Sequence, residues 1–341
     1  MLEPARDAEI VFFLNAAGWG QATRRPLAGD ASARRYERLT ATHGSAVLMD
    51  APPASGEDVT RFTRMARWLH ERGFSAPEIL AENVPNGLLL LEDLGDDLLA
   101  RLIATDPSRE PALYNEVTQF LLALHRHPAP DFVLPLDGPA LADLTRLTPE
   151  WYLPGIGARA SAASAEIPAL IKEAYARLNR EDPVLSLRDF HAENLLWLPG
   201  RAGVARLGLL DFQDAVAAHP AYDLVSALQD ARRDVSPTVE AAERAHYAAA
   251  KGLDQGRFSA IYALLGAQRS LRILGVFARL CMAAGKPHYV DLIPRTWAYI
   301  GRNLAHPELA GLAAAVYAAL PAPTPERLER IKDQCGQYPM R

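Results

Sequence analysis

An α+β fold is predicted, with a small antiparallel β-rich lobe at the N-terminus and a large, mostly helical lobe after it. Three observations predict it. Through residue 91 the apolar residues fall in short runs bounded by turn residues, with one helical stretch among them. From residue 96 onward the spacing lengthens into helical patterns, and a single island at 183–211 interrupts them with short apolar runs. Between the two regimes lies a short connector, Glu92, Asp93, Leu94 and Gly95.

A first helix is expected near 5–17. Residues 35–39 and 45–49 read as strands joined by the turn Thr42, His43 and Gly44, which makes a hairpin. Over 57–73 the residues Val59, Phe62, Met65, Ala66 and Leu69 share one helical face, and Gly73 supplies the stop. Two more strands are expected at 78–82 and 87–91, separated by Asn83, Val84, Pro85 and Asn86. Helices follow at roughly 109–127, 138–152, 164–180, 220–230, 237–251, 257–284 and 288–304. Within the island, 184–187, 195–198 and 206–210 read as strands. The expected division is therefore 1–91 for the β-rich lobe, 92–95 for the hinge and 96–341 for the helical lobe. Ligands favour the cleft between two such lobes.

Composition narrows the function classes. The 341 residues carry 36 basic and 41 acidic side chains, a formal charge of −5, which gives no bulk attraction to nucleic acid or an anionic membrane. Hydrophobic residues at 49% are enough for a large core. Only Lys172, Lys251, Lys286 and Lys332 are lysines; the other 32 basic residues are arginine, and residues 1–171 contain no lysine. Cys281 and Cys335 are too few and too far apart for a metal knuckle or a disulfide framework. No stretch approaches the about 18 uninterrupted apolar residues of a membrane span. The N-terminus has no basic region followed by a cleavage site, so a soluble, cytoplasmic protein is expected. The G-x-S-x-G, P-loop, H-E-x-x-H and C-x-x-C motifs are absent, and no basic-aromatic run suggests nucleic acid.

The chemistry concentrates in two segments. One reads Leu187, Arg188, Asp189, Phe190, His191, Ala192, Glu193, Asn194; the other reads Leu210, Asp211, Phe212, Gln213, Asp214. Both carboxylates follow apolar β-runs, where a strand delivers a side chain to a site. Phosphoryl transfer needs a carboxylate to orient the attacking hydroxyl and accept its proton, and oxygen ligands for magnesium on the nucleotide phosphates. Asp189 suits the first role, and Asn194 with Asp211 the second.

On these residues the chain resembles the protein-kinase-like fold and, within it, the aminoglycoside phosphotransferase superfamily of small-molecule kinases. The likeness extends over essentially the whole chain. It implies that 88–94 is a hinge whose backbone near Glu92 and Leu94 meets adenine, and that the Gly29-Asp30-Ala31-Ser32 turn covers phosphates, with Ser32 among the nucleotide contacts. Segments 29–36, 47–53, 211–215, 222–226 and 268–280 are similar to bacterial kinases of N-acetylmuramate and N-acetylglucosamine in peptidoglycan recycling. That likeness implies ATP and Mg2+ as cofactors, a small-molecule sugar acceptor phosphorylated at its anomeric hydroxyl, and acceptor contacts from His191, Gln213, Arg269 and Arg272.

Two departures from the superfamily pattern stand out. Position 187, commonly a histidine that braces the catalytic loop, is Leu187. The small-lobe lysine that usually contacts the α- and β-phosphates has no counterpart. Either an arginine replaces it, with Arg35 and Arg38 the candidates on the strand after the Gly29 loop, or magnesium and backbone hold the phosphates. Asp223, after Pro220, reads as an acceptor for the loop rather than a ligand.

In the helix expected at 257–284, Arg269, Arg272 and Arg279 fall within an arc of about 80° at ~100° per residue, against an otherwise apolar surface. Such a stripe suits an anionic or neutral polar ligand and disfavours a polycation, although Asp143, Glu150 and Asp230 leave room for one. The rival readings are a kinase of the same fold acting on an aminoglycoside, a choline-like or a hydroxy-amino-acid acceptor, and a catalytically silent nucleotide- or sugar-binding regulator. The oligomeric state is not constrained by these patterns.

Overall fold

A computed structural model of the protein describes residues 4–27 and 34–338. The turn Gly29 to Ser32, and with it the nucleotide contact expected of Ser32, lies outside the described residues. The chain folds into two compact units. The first takes the described residues up to 107 together with 192–214; the second takes 108–191 together with the described residues from 215.

In the first unit, strands β1 (Thr23–Pro26), β2 (Arg35–Ala41), β3 (Gly44–Asp50), β4 (Ile79–Asn83) and β5 (Leu88–Glu92) form an antiparallel sheet in the order β1-β2-β3-β5-β4. Helix α1 (Pro4–Ala16) buries Ile10, Phe13 and Leu14 against Leu39, Ala46, Leu48, Leu88 and Leu90 of the sheet. Each such fully buried aliphatic side chain stabilises by about 1.5–3 kcal/mol before entropy. Helix α2 (Val59–His70) starts where the Asp58 carboxylate accepts the Thr60 N–H at 2.8 Å. Helix α3 (Leu99–Thr105) is tied to the returning segment by the Ala100 N–H donating to the Ala192 carbonyl at 3.0 Å. That segment makes a hairpin, Leu195–Trp197 with Leu207–Leu209, docked through the Ser75 hydroxyl donating to the Ala205 carbonyl at 2.6 Å.

The second unit contains helices α4 (Glu110–Leu124), α5 (Gly138–Leu144), α6 (Ala162–Leu178), α7 (Ala221–Leu228), α8 (Pro237–Ala250), α9 (Gln255–Met282), α10 (Ile293–Leu304), α11 (Ala310–Ala319) and α12 (Pro325–Lys332). A small sheet joins β6 (Leu134–Pro135), β7 (Val184–Ser186) and β8 (Val216–Ala218) in the order β6-β8-β7. Helix α9 is the spine of the unit. At Gly275 an added Cβ would lie 2.3 Å from the Leu147 carbonyl carbon and oxygen, so glycine lets the 147–148 backbone rest directly on the helix. The Thr148 hydroxyl fastens that contact by donating to the Leu271 carbonyl. Among the described residues no helix is long and apolar enough to cross a membrane.

Several sequence expectations are corrected. The helix expected at 138–152 ends at Leu144, and Thr148–Tyr152 forms a π turn instead. The Thr145 hydroxyl bonds back to the Ala142 carbonyl, and Pro149 has no N–H to continue the ladder. The stretch expected as one helix from 288 begins as a 3-10 turn, Pro287–Leu292, before α10. The three strands expected in the island are present and divide between the units: Val184–Ser186 pairs with Val216–Ala218 in the second unit, whereas the other two form the hairpin of the first.

Candidate active site

The second unit holds the segment 186–191. Arg188 has φ 66°, a left-handed backbone that a residue with a Cβ rarely adopts, and the neighbouring groups define it from both ends. On one side is the buried Asp223 of α7. Its carboxylate accepts the Ser186 hydroxyl at 2.6 Å, the Leu187 N–H at 2.6 Å and the Arg188 N–H at 3.0 Å. On the other, the Arg188 carbonyl accepts the Ser226 hydroxyl and Arg269 Nη1, each at 3.1 Å. Asp223 is therefore a loop acceptor, as the sequence indicated. Burial pushes its carboxyl up to about 6 in spite of these donors. The loop is braced without a histidine at 187; the Leu187 side chain is buried and its N–H serves Asp223.

This turn presents Asp189 with its side chain 38% exposed and 3.9 Å from Arg269 Nη2. Crowding by protein raises its carboxyl, but the positive charges of Arg269 and Arg272 more than offset that, so it sits below the usual carboxylate range. Phe190 stacks on Phe120 with ring centres 5.5 Å apart. His191 is buried at 3% exposure, and Arg232 Nη1 lies 3.0 Å from its Nε2. Because arginine only donates, Nε2 accepts and the ring proton is on Nδ1. Burial, aided by Arg232, lowers this imidazole to about 3, so it is neutral at physiological pH. Arg269 is nearly buried, with its guanidinium 5.7 Å from the Tyr222 ring centre.

The first unit holds Asn194, Asp211 and Gln213 on the two ends of the hairpin. Register Leu195 to Leu209, and the Leu210 N–H donating to the Asn194 carbonyl at 2.9 Å, bring those ends together. Asp211 also takes the left-handed conformation, φ 54°. Phe212 is fully buried against Phe62 of α2, ring centres 4.8 Å apart, and Gln213 Nε2 donates to Asp211 Oδ1 at 2.6 Å. Gln213, the residue expected to touch the acceptor, therefore also holds the Asp211 carboxylate. Asn194 and Asp211 supply one amide and one carboxylate oxygen, the hard donors that magnesium accepts alongside phosphates and water. Among the described residues no three His, Cys, Asp or Glu side chains form a metal cluster.

The connector from Glu92 to Asp96 is clamped within the first unit. Arg38 on β2 reaches Asp93 (Nε to Oδ2, 2.9 Å) and Asp96 (Nη1 to Oδ2, 2.7 Å), and Arg201 pairs with Glu92. Among the described residues the Leu94 N–H and carbonyl have no protein hydrogen-bond partner. Arg35 is 51% exposed and stands 3.4 Å from the buried Asp50, which Arg6 of α1 also holds at 2.6 Å. The two arginines singled out by sequence therefore differ: Arg38 is committed to Asp93 and Asp96, and Arg35 extends to solvent. The ion pairs of Arg6 with Asp50, Arg38 with Asp93 and Asp96, and Arg201 with Glu92 carried no sequence signal, because the partners are remote in the chain.

The sequence profile of the phosphotransferase enzyme family matches residues 23–259. The chain is 42% identical to the N-acetylmuramate/N-acetylglucosamine kinase of Caulobacter vibrioides, over 92% of this chain and 96% of that one. The chain belongs to the phosphotransferase enzyme family. Solved structures agree on the fold of this phosphotransferase. A choline/ethanolamine kinase family protein from Mesorhizobium loti superposes with TM-score 0.60 at 15% identity, covering 96% of this chain and 99% of the other. The ADP-bound aminoglycoside phosphotransferase APH(2'')-Ib gives TM-score 0.60 at 13% identity over 91% and 99%. The protein-kinase-like class, with its antiparallel N-terminal sheet and helical remainder, is thereby established for this phosphotransferase.

Proposed function

We propose that this phosphotransferase is an ATP- and magnesium-dependent kinase that phosphorylates the anomeric hydroxyl of an amino sugar, N-acetylmuramate or N-acetylglucosamine, to the sugar 1-phosphate. The observation that carries the chemistry is Asp189: a partly exposed carboxylate, kept ionised by arginines, on a turn braced by Asp223, Ser226 and Arg269. The acceptor class rests on the 42% identity to a kinase of those two sugars. The cytoplasm, where ATP is made and recovered wall sugars arrive, is the compartment this reading implies.

In this reading Asp189 accepts a hydrogen bond from the anomeric hydroxyl, aligns its oxygen for in-line attack and takes the proton as that oxygen bonds to the γ-phosphorus of ATP and the bond from this phosphorus to the bridging oxygen breaks, releasing ADP. Asn194 and Asp211 hold magnesium, with Gln213 fixing the rotamer of Asp211. When bound, the metal neutralises charge on the phosphate oxygens. Leu94 offers its unpaired backbone groups to the adenine edge, joined by the carbonyl of Glu92, whose N–H is held by the Glu78 carbonyl at 2.8 Å, and Arg35 takes the phosphate role left vacant by the missing lysine. Neutral His191 supports the acceptor side through its ring, and Arg269 and Arg272 line it with positive charge.

Phosphorus NMR after incubation with ATP, magnesium and each sugar tests the reading. An acid-labile sugar 1-phosphate is expected; no phosphorylated sugar, or phosphate on another hydroxyl, overturns it. Asp189→Asn should reduce turnover by about 10²–10⁴-fold and leave ATP affinity unchanged. Undiminished turnover in that variant would remove Asp189 from the role.

A further inference from the structure

Helix α9 places two arginines one turn apart beside Asp189, and they are not equivalent. Arg269 is engaged through both terminal nitrogens: Nη1 donates to the Arg188 carbonyl at 3.1 Å and Nη2 stands 3.9 Å from Asp189, while its Nε, like that of Arg272, is shielded with no hydrogen-bond partner. Arg272 is not so engaged. It is half-buried, its Nε is shielded from solvent with no hydrogen-bond partner, and among the described residues no carboxylate forms an ion pair with it. Its charge nevertheless acts on Asp189. A guanidinium cannot shed its proton, so a shielded, unmatched one is costly until an anionic acceptor arrives.

Asp189 already has the charge of Arg269 beside it, so the missing anion must come with a ligand. The two sugars named for the Caulobacter relative differ in one respect that matters here: N-acetylmuramate carries a lactyl ether ending in a carboxylate, and N-acetylglucosamine carries a neutral hydroxyl in its place. Resting on the amino-sugar reading above, we propose that Arg272 is a specificity-determining residue that receives the carboxylate of an acidic acceptor, while Arg269 positions the catalytic turn for every acceptor. The guanidinium fork matches a carboxylate with two parallel hydrogen bonds, which an amide or hydroxyl partner cannot reproduce.

The test compares wild type, Arg272→Gln and Arg272→Lys with both sugars at pH 8, where Asp189 is ionised in every variant. Arg272→Gln should raise the ratio of KM for N-acetylmuramate to KM for N-acetylglucosamine about 10–100-fold, and Arg272→Lys should recover part of that change. Calorimetric titration of each sugar without nucleotide should show the same selective loss of affinity. Equal losses for the two sugars would assign Arg272 to the transferred phosphate and overturn the inference, as would an unchanged KM for N-acetylmuramate. Absence of turnover by wild type on both sugars would instead overturn the amino-sugar reading itself, and this inference with it.

Discussion

Arg35 and Arg38 occupy the same strand three residues apart and face different tasks. Arg38 spends its guanidinium on Asp93 and Asp96, both next to the adenine-facing backbone in the proposed reading; Arg35 shares Asp50 with Arg6 and keeps half its surface exposed. An exposed ion pair such as that of Arg38 with Asp96 is worth little alone, but two carboxylates on one fork fix the loop they belong to. Substituting them should therefore give different kinetics. Arg35→Ala should lower kcat/KM for ATP by about 10–100-fold with kcat itself reduced, as expected for a lost charge-assisted phosphate contact. Arg38→Ala should raise KM for ATP and leave kcat within about twofold. Identical kinetic profiles in the two variants would contradict this separation. The sequence placed both arginines on the right strand, and residue spacing could go no further: the partners Asp93 and Asp96 lie 55 and 58 positions away.

Among the elements, helices with clear apolar spacing were legible to within a few residues; the stretch expected at 237–251 is helix Pro237–Ala250. The two segments that carry Asp189, Asn194 and Asp211, proposed above as the catalytic motif, could be picked out because each is contiguous in sequence. What could not be read were pairings decided by remote partners. Val184–Ser186 takes Val216–Ala218 as its neighbour, and nothing within either run encodes the other. The π turn at Thr148–Tyr152 likewise depends on Leu271 and on the absent side chain at Gly275. Gly275→Ala should consequently lower the urea midpoint by an amount worth about 1–3 kcal/mol, because its methyl meets backbone that has no rotamer to yield. Gly311→Ala is the control: its added Cβ meets nothing within 4 Å, and its midpoint should not fall. A normal midpoint for Gly275→Ala would show that 147–148 can withdraw from α9 at no cost.

At the scale of the molecule, the second unit buries three neutral histidines. His125, His191 and His219 are each lowered from the ordinary 6.5 to about 3, chiefly by burial. Unfolding returns each to its ordinary value, so the unfolded chain binds more protons than the native one between about pH 6.5 and 3. Stability is then fully present above pH 6.5 and is lost as pH falls, at about 1.4 kcal/mol per pH unit for each histidine. Asp223 acts in the opposite sense, since its raised value makes the native state the better proton binder between about 4 and 6, but it is one group against three. The melting temperature should decline steadily below pH 6.5, with net proton uptake on unfolding measured by calorimetry in buffers of different ionisation enthalpy. A melting temperature level from pH 7 to 5 would refute the account.

The discontinuity of the first unit bears on how the protein is made. Its sheet precedes residue 107 in the chain, yet the hairpin that docks at Ser75 and the Phe212 ring that covers Phe62 belong to 192–214. A nascent chain stopped near residue 107 therefore leaves Phe62 and the Ser75 edge uncovered, and the unit cannot close until about another hundred residues have left the ribosome. Synthesis order alone delays assembly of the first unit, and residues 108–191 must emerge in between.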